Sequence, residues 1–341
     1  MAVHIARWDL DKTYLRTEFD SLRDMVKTAF ERPDQKRTNP GASTLLREMV
    51  RAGIRVHILS GSPEQMRRRL EDKLRLDGVT WDSFTLKPNL QNLLRLRFRA
   101  VRDQLGYKLP ALLRSRAAVT EGIEGAGPGC RETLFGDDAE ADAYVYSLYA
   151  DVLAGRVTED VLLQVLRRGR VYEDVVAEAM DAARIVEHAD VVERIFIHLE
   201  RQTPPDDFKA YGARVVPFYN YLQAAFALHE DERLGAESVL RVAVELVTEH
   251  RFDGDSLARS YLDLVRRGHL RGVGVDRIER ALAVWLARDP LPASRELRAM
   301  VARLPVFAAG ARSTVPAPAV EIPDYVTLVR AHNARTRHSS L

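Results

Sequence analysis

At 341 residues, 46% of them hydrophobic and 29% charged, the chain can bury one large core or two ordinary ones. Its formal net charge of +2 excludes the strongly basic balance of a dedicated nucleic-acid binder, and no apolar run is long enough to span a bilayer. A lone cysteine, Cys130, excludes an internal disulfide framework and, with an N-terminus that lacks a charged start and an apolar leader, makes a cytoplasmic protein the expectation.

The first element is a strand from Val3 to Trp8, apolar at Val3, Ile5, Ala6 and Trp8. It ends in Asp9-Leu10-Asp11-Lys12-Thr13. Ligands of an open α/β sheet bind outside the carboxyl ends of its strands. Two acids buried there are costly unless a cation or a reacting group accounts for them, although an Asp-rich turn is also a common way to leave a strand. A polar helical stretch follows from about Thr17 to Arg32 and stops at Arg32-Pro33-Asp34 and Asn39-Pro40-Gly41. Ala42 to Arg51 has the spacing of an amphipathic helix, stopped by Gly53.

Arg55 to Leu59 reads as a second strand, running into Ser60-Gly61-Ser62-Pro63. Ser62 is expected to cap the next helix, about Glu64 to Leu74, with Pro63 in its first turn. A third strand is expected between Val79 and Leu86. Asn89 to Arg116 reads as one or two helices, with Lys108 opening the second. The glycine-rich loop from Gly122 to Gly129 lacks the Gly-Lys-Ser/Thr ending of a phosphate loop. Thr133 to Phe135 is a short strand that delivers Gly136-Asp137-Asp138-Ala139-Glu140-Ala141-Asp142, and a helix rich in tyrosine and alanine ends near Gly155.

Two more helices, Glu159 to Arg168 and Tyr172 to His188, form a helical insertion at about 157–190. Strands at Glu193 to Leu199 and Arg214 to Phe218 extend the same sheet. Strand and helix alternate as in an α/β fold with a doubly wound, mostly parallel sheet, here placed at 1–230. A helical region follows at 231–306, with Leu240, Val244, Leu262, Leu264, Trp285 and Leu286 as core, and 307–341 reads as a loose tail around Pro316-Ala317-Pro318. His57 and His198 lie in strands with no second ligand at metal spacing, and Cys130 reads as a small core residue.

Four pieces stand in order at strand ends or helix starts: Asp9/Asp11, Ser60, Lys108 and Asp137/Asp138/Asp142. Over about residues 3 to 150 they resemble the haloacid-dehalogenase-like (HAD) phosphohydrolase superfamily, with its DxDx[T/V] strand end, Ser/Thr after a second strand, Lys near a helix start and late acidic pair. The resemblance implies a HAD-like Rossmannoid domain in which Asp9 attacks phosphorus and Asp11 protonates the leaving oxygen, then deprotonates water. Thr13 would hold the turn, Ser60 and Gly61 would bind the phosphoryl group, and Lys108 would balance charge on phosphate and Asp9. Mg2+ would sit between Asp9, the Asp11 carbonyl and the late acids, with Asp137 as ligand and Asp138 and Asp142 competing for the second role. The second Asp goes with phosphate transfer rather than carbon–halogen cleavage.

The gaps between motifs leave no room for a full cap domain, so the resemblance implies an open, phosphorylated-substrate site for a bulky lipid or macromolecular phosphate. The Ser60-Gly61-Ser62-Pro63 turn and Asp142 to Tyr146 look most like the lipin-type phosphatidate phosphatases. Arg67 to Arg69 and the series Arg95, Arg97, Arg99 and Arg102 could face an anionic substrate or membrane, or be solvated helix faces in an Arg-rich protein. A phosphotransferase using the same intermediate and a non-catalytic, metal-dependent binding module stand as alternatives.

Overall fold

The computed structural model describes residues 3–16, 36–87, 101–122, 127, 129–288, 293–311 and 322–338. Six strands form one sheet: β1 (His4–Trp8), β2 (Arg55–Pro63), β3 (Ser83–Lys87), β4 (Arg131–Asp137), β5 (Val192–His198) and β6 (Val215–Phe218). Their order is β3-β2-β1-β4-β5-β6, and every pairing is parallel. The chain therefore winds outward through β2 and β3, then returns to the middle and winds the other way through β4. The strand order reverses between β1 and β4, which is where such a sheet opens a crevice for ligands.

Helices cover both faces, as an all-parallel sheet requires. On one face lie α1 (Ala42–Arg51), α2 (Arg67–Leu76), α7 (Tyr221–Glu230), α8 (Ala236–His250), α9 (Gly254–Arg266), α10 (Val275–Arg288) and α11 (Ser294–Ala311). They pack on Ala6, Trp8, Val56, Ile58, Phe135, Phe196, Val216 and Phe218. The other face carries α3 (Val101–Gly122), α4 (Asp142–Leu153), α5 (Glu159–Arg168), α6 (Glu173–Ile185) and α12 (Tyr325–His338), over Leu59, Leu134, Ile195, Ile197 and Val215. Neighbouring strand residues such as Leu134 and Phe135 go to opposite cores, because side chains alternate along a strand. Trp8 stacks on Phe135 at 4.0 Å between ring centroids, and Phe135 on Phe196 at 4.9 Å, binding β1, β4 and β5 together on one face.

The relation of α3 to β1 positions the site. Ile5 packs with Val119, Arg7 donates to Ser115 Oγ at 2.8 Å, and Asp9 meets Lys108 at 3.2 Å. Alternate residues of β1 thus climb one face of an antiparallel helix, with Asp9 and Lys108 at the top. Below them Glu132 is buried between Arg7, at 2.7 Å, and Arg116, at 3.1 Å, and accepts from the Tyr149 hydroxyl at 2.8 Å.

Several local expectations change. Pro63 remains in β2, a 3-10 turn spans Glu64–Met66, and the helix proper begins at Arg67, without a side-chain cap from Ser62. The third strand starts at Ser83 rather than Val79, and Lys108 lies inside a helix that continues through Pro110 instead of opening one. The helices between Ala236 and Ala311 pack on the sheet and share the core under Trp8 and Phe135. The stretch 307–341 is not a loose tail throughout. Helix α11 runs to Ala311, and α12 is anchored by Tyr325, whose hydroxyl donates to Asp151 at 2.6 Å and whose carbonyl accepts from Tyr144 at 2.9 Å. Of the C-terminal core residues, Leu240 and Leu264 are buried, Val244, Trp285 and Leu286 half-buried against them, and Leu262 lies at the margin. Arg67 is taken up by Glu64 and by the Phe84 carbonyl rather than presented to a partner. The expected helix at 17–32, the arginines at 95, 97 and 99, and the Pro316-Ala317-Pro318 segment lie outside the described residues. Among the described residues, no helix is long and apolar enough to cross a membrane.

Candidate active site

β1 gives its last rung at Asp9, whose N–H donates to the Phe135 carbonyl at 3.0 Å. The chain then closes a single turn: the Leu10 carbonyl accepts from Tyr14 N at 3.0 Å and Leu15 N at 2.8 Å, with Lys12 at φ 61°. A left-handed Lys is uncommon and persists only where its surroundings hold it. Here Asn39 donates to the Lys12 and Thr13 carbonyls at 3.1 and 2.7 Å, Tyr221 donates its hydroxyl to the Thr13 carbonyl, and His198 Nδ1 donates to the Lys12 carbonyl at 3.2 Å. The turn carries Thr13 back over Asp9, leaving its Oγ1 3.4 Å from Asp9 Oδ2 and 3.3 Å from Asp137 Oδ2.

Asp137 ends β4, next to Asp9 in the sheet. Its Oδ1 accepts from Ala139 N at 2.7 Å and Glu140 N at 3.0 Å, which starts the turn into α4. That turn returns Asp142 over Gly136, so that Asp142 Oδ2 accepts from Asp137 N at 3.2 Å. Asp9, Asp137 and Asp142 are all buried, with one carboxylate oxygen of each within 4.8 Å of the others. Lys108 is the counter-charge, at 2.5 Å from Asp142 Oδ1, 3.0 Å from Glu140 Oε2 and 3.2 Å from Asp9 Oδ1. Gln104, one turn earlier on α3, donates to the same Glu140 oxygen at 2.6 Å.

One ammonium does not balance this group. Burial, then the neighbouring acids, push the Asp9 and Asp137 carboxyls well above the usual carboxylate range, against the pull of Lys108. Asp142 is pushed up to about 6, first by burial, with Lys108 opposing and Glu140 adding to it. Burial disfavours the charge on Lys108, but Asp142, Asp9 and Glu140 outweigh it and raise its pKa. Asp9 Oδ1 is buried without a hydrogen-bond partner, its approach to Lys108 being ionic only. Three crowded carboxylates with an orphaned oxygen are what a hard, oxygen-seeking divalent cation relieves, so the donor set could hold such an ion.

Asp11 stands apart from the three acids and keeps an exposed edge. Its Oδ2 accepts from Ser60 Oγ at 2.9 Å and Ser62 Oγ at 2.8 Å. Burial raises its carboxyl above the usual range, and those two hydroxyls oppose the rise. Ser60 also receives Ser62 N–H on its Oγ at 3.0 Å, and its carbonyl accepts from the Tyr107 hydroxyl at 2.8 Å. Gly61, between the serines, has open space where a side chain would lie.

Asp9, Thr13, Lys108, Asp137 and Asp142 therefore converge, with Asp11, Ser60 and Gly61 beside them. Asp138 does not join. Its carboxylate accepts from Arg201 N at 2.8 Å and Thr203 N at 3.0 Å and ties down the loop after β5. Of the two competing acids, the fold places Asp142 in the group, because the first turn of α4 folds back while Asp138 follows the strand direction outward. Glu140 and Gln104 were missed by sequence reasoning; the acid-rich run after β4 held the only signal for Glu140. Tyr221 and Asn39 reach the turn from distant elements and left no local signal. No family model, curated protein or solved structure matches the chain.

Proposed function

We propose that the chain is a HAD-type phosphohydrolase that cleaves phosphate monoesters through an aspartyl-phosphate on Asp9. The observation that carries this reading is the convergence of Asp9, Lys108, Asp137 and Asp142, from four elements, at the point where the strand order reverses. A divalent cation, Mg2+ by its liking for oxygen donors, would be held by Asp9, Asp137 and Asp142 and would supply positive charge to the phosphoryl oxygens.

The chain's own residues do the rest. An Asp9 oxygen forms a bond to phosphorus as the ester P–O bond breaks, and the electron pair of that bond stays with the leaving oxygen. Asp11, whose carboxyl burial raises above the usual range, gives that oxygen its proton. The resulting Asp11 carboxylate then takes a proton from water as the water oxygen bonds to phosphorus. The Asp9–phosphorus bond breaks, and its electron pair returns to the carboxylate. Lys108 neutralises charge on Asp9 and on the incoming phosphoryl group, while Glu140 and Gln104 fix where its ammonium points. Thr13 stays over Asp9 because its carbonyl is clamped by Asn39 and Tyr221.

The stretches joining β1 to α1 and β3 to α3 are too short for a separate covering domain, and Asp11 keeps an exposed edge. Both favour a bulky ester, of lipid or macromolecular type, over a small enclosed one. The test is hydrolysis of an aryl phosphate by the purified chain. Turnover that requires Mg2+ and disappears in Asp9→Asn, with the fold intact by circular dichroism, is the expected result. An inert wild type across aryl, sugar, lipid and protein phosphates would defeat the reading, and phosphate appearing on an added alcohol would turn it into transfer.

A further inference from the structure

Ser60 and Ser62 sit two apart near the end of β2, with Gly61 between them, in the stretch from Leu59 to Pro63 where the pairing with β3 shifts register. Both hydroxyls end on one oxygen, Asp11 Oδ2, at 2.9 and 2.8 Å. A serine hydroxyl has one hydrogen to donate. The hydrogen of Ser60 is committed to Asp11, and its Oγ is already an acceptor for Ser62 N–H at 3.0 Å. Ser60 can serve a phosphoryl oxygen only by rotating that hydrogen away, and Asp11 then loses a donor. Ser62 is the donor that remains. It is buried, its peptide N–H fixes it to Ser60, and it caps no helix.

We propose that Ser62 is a positioning residue for the leaving-group step, holding Asp11 in place while Ser60 turns its hydroxyl to the phosphoryl group. The proposal rests on the phosphohydrolase reading. In the step it serves, the ester P–O bond breaks with its electron pair on the leaving oxygen, and the proton on Asp11 passes to that oxygen. A proton donor that is misplaced matters most when the leaving oxygen is strongly basic. An alkyl alcohol must leave protonated, whereas a nitrophenolate leaves readily as the anion.

The experiment compares p-nitrophenyl phosphate with ethyl phosphate, using the full chain with Mg2+. Ser62→Val and Ser62→Thr are the informative pair, since they differ by a methyl in place of the hydroxyl at nearly equal volume. Ser62→Val is expected to lower kcat/KM, which reads the steps through departure of the alcohol and not the later action of Asp11 on water, roughly 10- to 100-fold on ethyl phosphate, a part of what positioned proton transfer supplies, and by less than about threefold on the aryl ester. Ser62→Thr should restore alkyl turnover, Asp11→Asn should show the same asymmetry as Ser62→Val, and Ser60→Ala should raise KM for both esters. Matching thermal midpoints for Val and Thr separate the effect from folding damage. With an active wild type, equal losses on both esters, or none on either, overturn the role of Ser62 alone. A wild type inert on both esters takes down the phosphohydrolase reading and this proposal together.

Discussion

Gly136 and Asp142 occupy their positions only as a pair. A Cβ built on Gly136 would lie 2.4 Å from Asp142 Oδ2 and 2.6 Å from its Cβ. The glycine is required here not by an unusual backbone angle but by the carboxylate that folds over it.

Gly136→Ala should therefore act on the site first and on the fold second. Asp142 must move off Lys108 and off the Asp137 N–H, and relieving the overlap costs about 1–3 kcal/mol. Displacement of a group near the chemistry by an ångström can cost about 10²-fold in rate. The expected outcome is a roughly hundredfold lower kcat in a protein that still unfolds cooperatively. Unchanged turnover would mean that Asp142 is not needed where it stands.

The three buried acids should make the protein more stable when one charge is removed. Asn in place of Asp137 keeps a carbonyl for the Ala139 and Glu140 N–H groups and takes away a charge that raises the pKa of Asp9. Thermal unfolding in a chelator should show Asp137→Asn more stable than wild type by about 0.5–2 kcal/mol, the common exchange of stability for function. Added Mg2+ should stabilise the wild type, by about 2.7 kcal/mol at a hundredfold excess over Kd, and leave the variant nearly unmoved. A variant that is less stable than wild type in chelator would show that the acids do not strain one another.

Acid sensitivity should trace to Glu132, away from the site. Burial alone would raise its carboxyl, but Arg7 and then Arg116 outweigh burial and hold it down at about 2, against an ordinary 4.5. A carboxyl depressed on folding contributes stability that is present above the ordinary value and is lost as pH falls from about 4.5 toward 2. That loss is about 3 kcal/mol. Urea unfolding at stepped pH should show Glu132→Gln destabilised at neutral pH, with two buried guanidiniums left unbalanced, and with a flatter response to acid than wild type. Equal acid slopes in the two proteins would place the sensitivity elsewhere.

What the sequence made legible was local. The run from Val3 to Trp8, the two aspartates after it and the acid-rich stretch after Phe135 are short-range patterns, and each lies where a strand delivers it. The choice between Asp138 and Asp142 depends on how the first turn of α4 folds back over Gly136, which spacing alone does not contain. Lys108 is expected at a helix start, yet α3 runs unbroken from Val101 to Gly122, through Pro110. Ser62 before Pro63 has the pattern of a cap, but β2 runs on to Pro63 and the hydroxyl goes to Asp11 instead. Helix α12 escaped notice because few of its residues are anchored, chiefly Tyr325 and Val329.

The clamp on the Thr13 carbonyl has a consequence for dissection of the chain. Tyr221 closes it from α7, and α7 is wedged between the sheet and the helices that follow. All the recognised motifs lie before residue 150, so a minimal fragment cut there would carry every residue of the proposed site and lack the Tyr221 hydroxyl that holds the turn after Asp9. The residues of the proposed site lie in the first half of the chain, while Tyr221 and His198 from the second half join Asn39 in holding the turn that carries them.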